Sequence, residues 1–324
     1  MLACATLLWL VVSGNRAEPA SFRAGPTAPA ASPESPEPAL PPSDTPASTD
    51  ARTDVARGAG PQPAVGPTIV NGSVASALAA ALPEITGNLS VAILDPADGE
   101  LVGYNADHPY VTASIVKVDI LATLLLQAQQ EHRTLTTTER STAAAMIEHS
   151  DNDAADTLWS AIGGAAGLRA ANTILGLIDT EATGLSWGLT RTTAGDQVRL
   201  LDAITTGDSP LDAASRAYLA DLMTSVDAGQ TWGVSTAADP GTTPALKNGW
   251  LPRDATGLWV INSIAHITHA GRPLLIAVLS DNQISMADGM TQLETAARAI
   301  VPAVAGAPNR AGWVAPPALT HRGG

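Results

Sequence analysis

Between residues 69 and 301 the apolar positions keep a regular period that switches from strand-like to helical and back, whereas neither end of the chain sustains one. The run "SVASALAAAL" (73–82) predicts a first helix. "LSVAILD" (89–95) and "ELVGY" (100–104), flanking the turn "PADG", predict a hairpin. Helical spacing follows over 115–130. Thr136 and Glu139 form a capping-box pair ahead of "AAAMIEH", and a helix over 153–162 stops at Gly163. "SPLDAASRAYLADLM" opens with Ser209 as N-cap and Pro210 in the first helical position. Strand signals return at "PALKNGW", "GLWVINSIAHI" and "RPLLIAVLSD", before a last helix over 286–300. Two strands at the start, three at the end and helices between predict an α/β (α+β) domain whose five-stranded antiparallel sheet is closed by both ends of the domain.

Composition adds the tails and removes some partners. At 324 residues and 45% hydrophobic, the chain has room for one large domain plus extensions. A net charge of −14 without a basic cluster argues against nucleic acid or an anionic membrane as partner. The single cysteine, Cys4, excludes an internal disulfide framework, and its place at the head of the apolar run rather than after it argues against a lipid-anchored cysteine. That run, Ala3 to Val12, is too short to span a bilayer and matches the apolar region of a secretory signal over residues 1–17, with a mis-assigned start codon or a short anchor as the alternatives. The protein is therefore expected to be exported, either secreted or associated with the cell envelope. Residues 18–68 are rich in proline and alanine and read as a disordered linker; residues 302–324, which lack periodicity, read as a disordered tail.

The basic residues carry the chemical signal. Of 17, only Lys117 and Lys247 are lysines. Arginine stays protonated, whereas a lysine among apolar neighbours and other cations can lose its proton and act as a base. Ser114 and Lys117 lie three apart at a predicted helix start, one turn from each other on one face, where free backbone N–H groups and the helix dipole favour a developing anion. Alone, that spacing is equally that of an N-cap serine and a solvated lysine. "IEHSDNDAA" adds Ser150, Asp151 and Asn152 before a helix, otherwise a plain capping cluster. "LKNGW" adds Lys247, Asn248 and Gly249 on a strand, otherwise a strand-end turn; the glycine would admit a close backbone approach. Both lysines fall inside these three signals, in the order Ser-x-x-Lys, Ser-Asp-Asn, Lys-x-Gly.

Other candidates are weaker. His266 and His269 are three apart on a strand, hence on opposite faces, and no metal or other cofactor is implied. The tryptophans, among them Trp159, Trp187, Trp232, Trp250 and Trp259, read as core or cleft-wall packing, and "GGAAG" reads as a turn.

On the three motifs, residues 69–301 resemble the penicillin-recognising serine enzymes, nearest the class A β-lactamases and related actinobacterial serine hydrolases. The resemblance implies a β-lactamase/DD-peptidase-like fold, with an all-helical subdomain beside an α/β subdomain and the site between them. It implies Ser114 as acylated nucleophile, Lys117 as its proton acceptor, Ser150 as relay to the leaving nitrogen and Asn152 as binder of a substrate amide. Lys247 would sit by Ser150 and the substrate carboxylate, with Asn248 and Gly249 lining the substrate. The backbone N–H groups of Ser114 and Trp250 would form the oxyanion hole.

Three departures from the family pattern stand out. Asn248 replaces the usual Thr or Ser, the segment between Lys117 and Ser150 is short, and the Glu-x-x-Leu-Asn loop is represented only by Glu181 in "AAGLRAANTILGLIDTEATGLSWGLTR". A solvated Glu181 would leave the acyl-enzyme without a base for its hydrolysis. The expected function is a monomeric serine hydrolase forming an acyl-enzyme with a β-lactam or a peptidoglycan-derived substrate, with slow deacylation. The alternatives are a D-alanyl-D-alanine carboxypeptidase or transpeptidase, and a non-catalytic protein that binds a cell-wall ligand.

Overall fold

The computed structural model describes residues 72–305 except 83, 98, 183 and 185. The expected signal at 1–17, the linker at 18–68 and the tail beyond 305 lie outside the described residues.

Helix α1 (Gly72–Ala81) leads into strands β1 (Asn88–Asp95) and β2 (Glu100–Tyr104), which pair antiparallel as the hairpin pattern predicts. The chain returns to the sheet only at β5 (Ala245–Pro252), β6 (Trp259–His269) and β7 (Arg272–Gln283), and the order β2-β1-β7-β6-β5 joins the two ends of the domain through β1 and β7. Central β7 is apolar on both faces because both are covered. Leu274, Ile276 and Val278 pack into one cluster with β6 and helix α8 (Met286–Ala305), while Leu275, Ala277 and Leu279 pack into the other, with the inserted helices.

Those inserted helices make the helical layer. Helix α2 (Val116–Gln130) runs through its middle, with all but three of its residues buried. Around it lie α3 (Thr137–Glu148), α4 (Asn152–Ala161), α5 (Gly164–Leu175), α6 (Ala194–Thr205) and α7 (Ala213–Thr224). Thr136 and Glu139 cap α3 reciprocally, as the spacing predicts. A two-stranded ribbon, β3 (Tyr110–Val111) with β4 (Arg191–Thr192), ties the segment before α2 to the segment before α6.

Three local expectations are corrected. Asp212, not Ser209, caps α7 by accepting from the Ser215 N–H; the Ser209 hydroxyl is held in a turn, donating to the Ala203 carbonyl and accepting from the Leu211 N–H. "GGAAG" is a turn only at Gly163, whose left-handed backbone (φ +85°) starts α5. Helix α8 passes Ile300 and Pro302 to end at Ala305, because Ile300 and Val301 stay buried and Arg272 Nη1 donates to the Ala305 carbonyl (3.1 Å).

Candidate active site

Ser114 sits in a 3-10 turn, Ala113–Ile115, immediately before α2. Neither Thr112 nor Ile115, at the starts of the turn and of α2, makes a side-chain cap, and Ser114 does not occupy a cap position, so the N-cap reading of its hydroxyl fails. Ala113 has φ +48°, a left-handed conformation costly for a residue with a Cβ, held from both sides. On one side, the Thr112 N–H donates to the Thr190 carbonyl (2.8 Å), continuing the β3–β4 ribbon. On the other, β5 presses against the turn at Gly249. A Cβ there would fall 2.8 Å from the Ser114 nitrogen, 2.9 Å from that of Ile115 and 2.9 Å from the Thr112 oxygen. The glycine of "LKNGW" is thus required by a close approach of two backbones.

Lys117, in the first turn of α2, is fully buried. Its Nζ donates to the Ser150 carbonyl (2.6 Å), to Asn152 Oδ1 (2.8 Å) and to Ser150 Oγ (3.2 Å), and lies 4.8 Å from the centroid of the Trp187 ring. Three donated bonds use all the protons of an ammonium. Burial brings the amine down to about 8, against the raising influence of Asp151 and Asp156.

Ser150 stands between α3 and α4 with φ +55°, a second left-handed backbone in the site. Asp151 is the N-cap of α4, accepting from the Ala154 N–H (2.7 Å), so the capping reading of this cluster is correct for Asp151 alone. Lys247, buried on β5, donates to the same Ser150 Oγ (3.0 Å) and to the Asn248 carbonyl (3.2 Å). Burial, and secondarily the charge of Lys117, lower it to about 7. The Ser150 hydroxyl therefore accepts from two lysines and keeps its own proton to donate. Protons leave such a pair in two steps that belong to the pair rather than to either residue.

Asn152 opens α4, with Oδ1 on Lys117 and Nδ2 uncommitted among the described residues. The expectation for Asn248 is corrected. Its Nδ2 donates to the carbonyls of Gln230 (2.8 Å) and Trp232 (2.9 Å) beneath the strand, so its amide has no proton left for a substrate carboxylate. Trp250 follows Gly249 on β5, the edge strand, and its ring is 6.0 Å from that of Trp232. Glu181 is exposed, and its backbone exchanges two 2.8 Å hydrogen bonds with Arg191.

Two residues escaped sequence reasoning. Trp187, read only as a wall tryptophan, caps the Lys117 amine and is held by its Nε1 donating to Asp156 Oδ1 (2.6 Å). Asn262, a buried amide on β6, donates to the carbonyls of Val111 (2.8 Å) and Thr112 (3.0 Å). Its only signal in the sequence is a polar break in the apolar run "WVINSIAHI". Among the described residues no group of three or more His, Cys, Asp or Glu could hold a metal ion.

A helical layer packed on one face of a five-stranded antiparallel sheet is the fold of the penicillin-recognising serine enzymes, and in this chain two lysines are buried, one on the layer's first helix and one on the edge strand. The solved β-lactamase from Burkholderia vietnamiensis superposes with a TM-score of 0.64 at 24% identity, over 73% of this chain and 98% of that one. The class A β-lactamase from Mycobacterium abscessus superposes with 0.61 at 23%, over 72% and 99%. The chain belongs to the beta-lactamase enzyme family, whose profile matches residues 73–140 and 134–304. It is also 31% identical over 202 residues to a Mycobacterium tuberculosis protein named "Putative lipoprotein LppW", a match spanning 58% of this chain and 63% of that protein.

Proposed function

We propose that this protein is an exported serine hydrolase that forms an acyl-enzyme with β-lactams or related amides and releases it slowly. The observation that carries the reading is the pair of buried, pKa-lowered lysines on one serine hydroxyl, beside a strained turn that presents a second serine. In the acylation step, Lys117 without its proton gives up one of its three bonds, the longest being that to Ser150 Oγ. Its lone pair takes the proton of Ser114 Oγ as that oxygen bonds to the substrate carbonyl. The N–H groups of Ser114 and Trp250 receive the developing oxyanion. As the C–N bond breaks, the Ser150 hydroxyl gives its proton to the leaving nitrogen and is reprotonated from the lysines. Asn152 Nδ2 orients the substrate amide. With the Asn248 amide spent on the backbone, a substrate carboxylate would rely on Lys247 alone. The lipoprotein name of the mycobacterial relative and the apolar run at Ala3–Val12 both support a place in the cell envelope.

Slow release follows from Glu181, exposed and pinned through its backbone, because hydrolysing the ester needs a held carboxylate or equivalent base on a water. The same feature suits a D-alanyl-D-alanine peptidase or transpeptidase whose acyl group awaits a second substrate, and turnover of a stem-peptide mimic would distinguish it. The primary test is intact-protein mass spectrometry with a penicillin, where a persistent adduct of one equivalent is expected and no adduct would overturn the reading. Nitrocefin should give a burst of about one equivalent and then a slow steady rate. Glu181→Gln should leave that slow rate unchanged within about twofold, as surface substitutions away from a site usually do. Linear fast turnover, or a large loss in the Gln variant, would show that the loop holds a working base.

Gly249→Ala tests the backbone approach. The atoms its Cβ would meet are all main-chain, so the turn bearing Ser114 must move. Overpacking of this kind costs about 1–3 kcal/mol, which should lower the thermal midpoint. A displacement that small at the nucleophile is expected to slow acylation by about tenfold or more. Acylation at the wild-type rate would show that the turn yields at no cost.

A further inference from the structure

A buried amide in the centre of a β-sheet is costly unless its hydrogen bonds are made. Asn262 makes three, all to main chain and none within its own strand. Nδ2 donates to the carbonyls of Val111 and Thr112, and Oδ1 accepts from the Ser280 N–H on β7 (3.2 Å). The two carbonyls immediately precede Ala113, the residue held at φ +48°, and Ser114. In register, Asn262 on β6 is paired with Gly249 on β5, so both point to the same face of the sheet. That face is the one against which the Ser114 turn lies. Gly249 sets how closely β5 can approach the turn. Asn262 ties the turn down to the adjacent strand.

We infer that Asn262 is a positioning residue for acylation, clamping the strained turn to the sheet so that the two halves of the oxyanion hole keep their spacing. The Ser114 N–H belongs to the turn and the Trp250 N–H to β5. Nothing covalent near the site links the two, and the Asn262 amide bridges them through β6. A clamp of this kind acts where charge develops on the substrate oxygen, and hardly on the initial docking of substrate. The inference rests on the acyl-serine reading above.

The kinetic test compares wild type with Asn262→Ala and Asn262→Asp, measuring fluorescent-penicillin labelling over a range of concentrations to separate the acylation rate constant from the dissociation constant of the non-covalent complex. Asn262→Ala should lower the rate constant by at least about tenfold, less than outright removal of an oxyanion donor, and change the dissociation constant by less than about threefold, the ordinary scatter of context effects. Asn262→Asp has the same shape but no N–H. If donation matters it will be at least as slow as the Ala variant; if the side chain only fills space it will match wild type, overturning the inference.

Ser280→Ala controls for lost stability. Its hydroxyl donates to the Ile261 carbonyl (2.8 Å), and it is paired with Ile261, which packs on the α8 face, away from the Ser114 turn. This variant keeps the Ser280 N–H that Asn262 Oδ1 accepts and removes only the hydroxyl, so it should lose stability without losing acylation rate. Hydrogen exchange reads the clamp without any substrate. Amides of residues 111–116 should exchange about tenfold faster in Asn262→Ala than in wild type or Ser280→Ala, the loosening expected when a buried hydrogen bond is removed. Unchanged exchange there overturns the clamp, whatever the substrate proves to be. Wild type that is not labelled by penicillin overturns the acyl-serine reading and leaves the exchange result to decide the clamp.

Discussion

Ser114→Ala is expected to fold normally and to take up no fluorescent penicillin under conditions that label the wild type fully. The hydroxyl caps neither the 3-10 turn nor α2, so its removal should change stability by no more than about 0.5 kcal/mol, as surface-type substitutions do. Its chemistry has no substitute. The other serine of the site, Ser150, already accepts from two lysines through its hydroxyl and from Lys117 through its carbonyl, a geometry suited to passing a proton rather than to attack. Ser150→Ala should therefore slow acylation while leaving the adduct on Ser114. Thermal melting checks that both variants are folded, and peptide mapping of the wild-type adduct locates the ester. Labelling that survives in Ser114→Ala would remove this residue from the mechanism.

What could be read from the sequence was whatever a residue declares through its own spacing. The sheet followed from five short apolar runs, because strands buried on both faces carry continuous hydrophobic text, as "RPLLIAVLSD" does on β7. The lysine pair followed from scarcity, since a chain that otherwise uses arginine has only two lysines, and the fold brings both onto one serine hydroxyl. The misreadings depend on distant partners. Whether the Asn248 amide faces substrate or the protein interior is decided by the carbonyls of Gln230 and Trp232, which fold beneath β5 from well upstream. Asp212 wins the cap of α7 over Ser209 because the carbonyl of Ala203, at the end of α6, has already taken the serine hydroxyl. Helix α5 was hidden by glycines that weaken helix propensity; the left-handed Gly163 and the burial of Leu168, Ala171 and Leu175 outweigh them. Helix α6 is capped by Thr193, whose side chain accepts from the Asp196 N–H, without a proline or a capping box to mark its start in the sequence. Trp187 and Asn262 act through contacts with segments far away in the chain, and no local pattern marks them.

Lys117→Arg should lower the acylation rate constant by at least about 100-fold, the lower end of what a positioned general base contributes. The guanidinium keeps the positive charge and the capacity to donate to Ser150 and Asn152, so a purely electrostatic or structural role would be partly preserved. What it lacks is a neutral form at any working pH. Lys117→Met, which removes the charge but keeps the length, should be slowed as much, and the pair of variants separates proton acceptance from charge. The wild type supplies a third readout through pH. With the Lys117 amine brought down to about 8, the acylation rate should rise with pH and level off above that value, and this limb should vanish in both variants. Stability should move in the same direction. Lys117 and Lys247 are both depressed in the folded state, to about 8 and about 7, against an ordinary value of 10.5. Over the window between those values and 10.5 the unfolded chain holds protons that the folded one has lost. The lysines therefore contribute a gain in stability as pH rises through that window, and the cost of burying them is greatest below it. Lys117→Met should flatten this rise and raise the thermal midpoint near neutral pH, trading acylation for stability. An arginine variant acylated as fast as wild type, or a pH limb that persists without Lys117, would assign the base to another group.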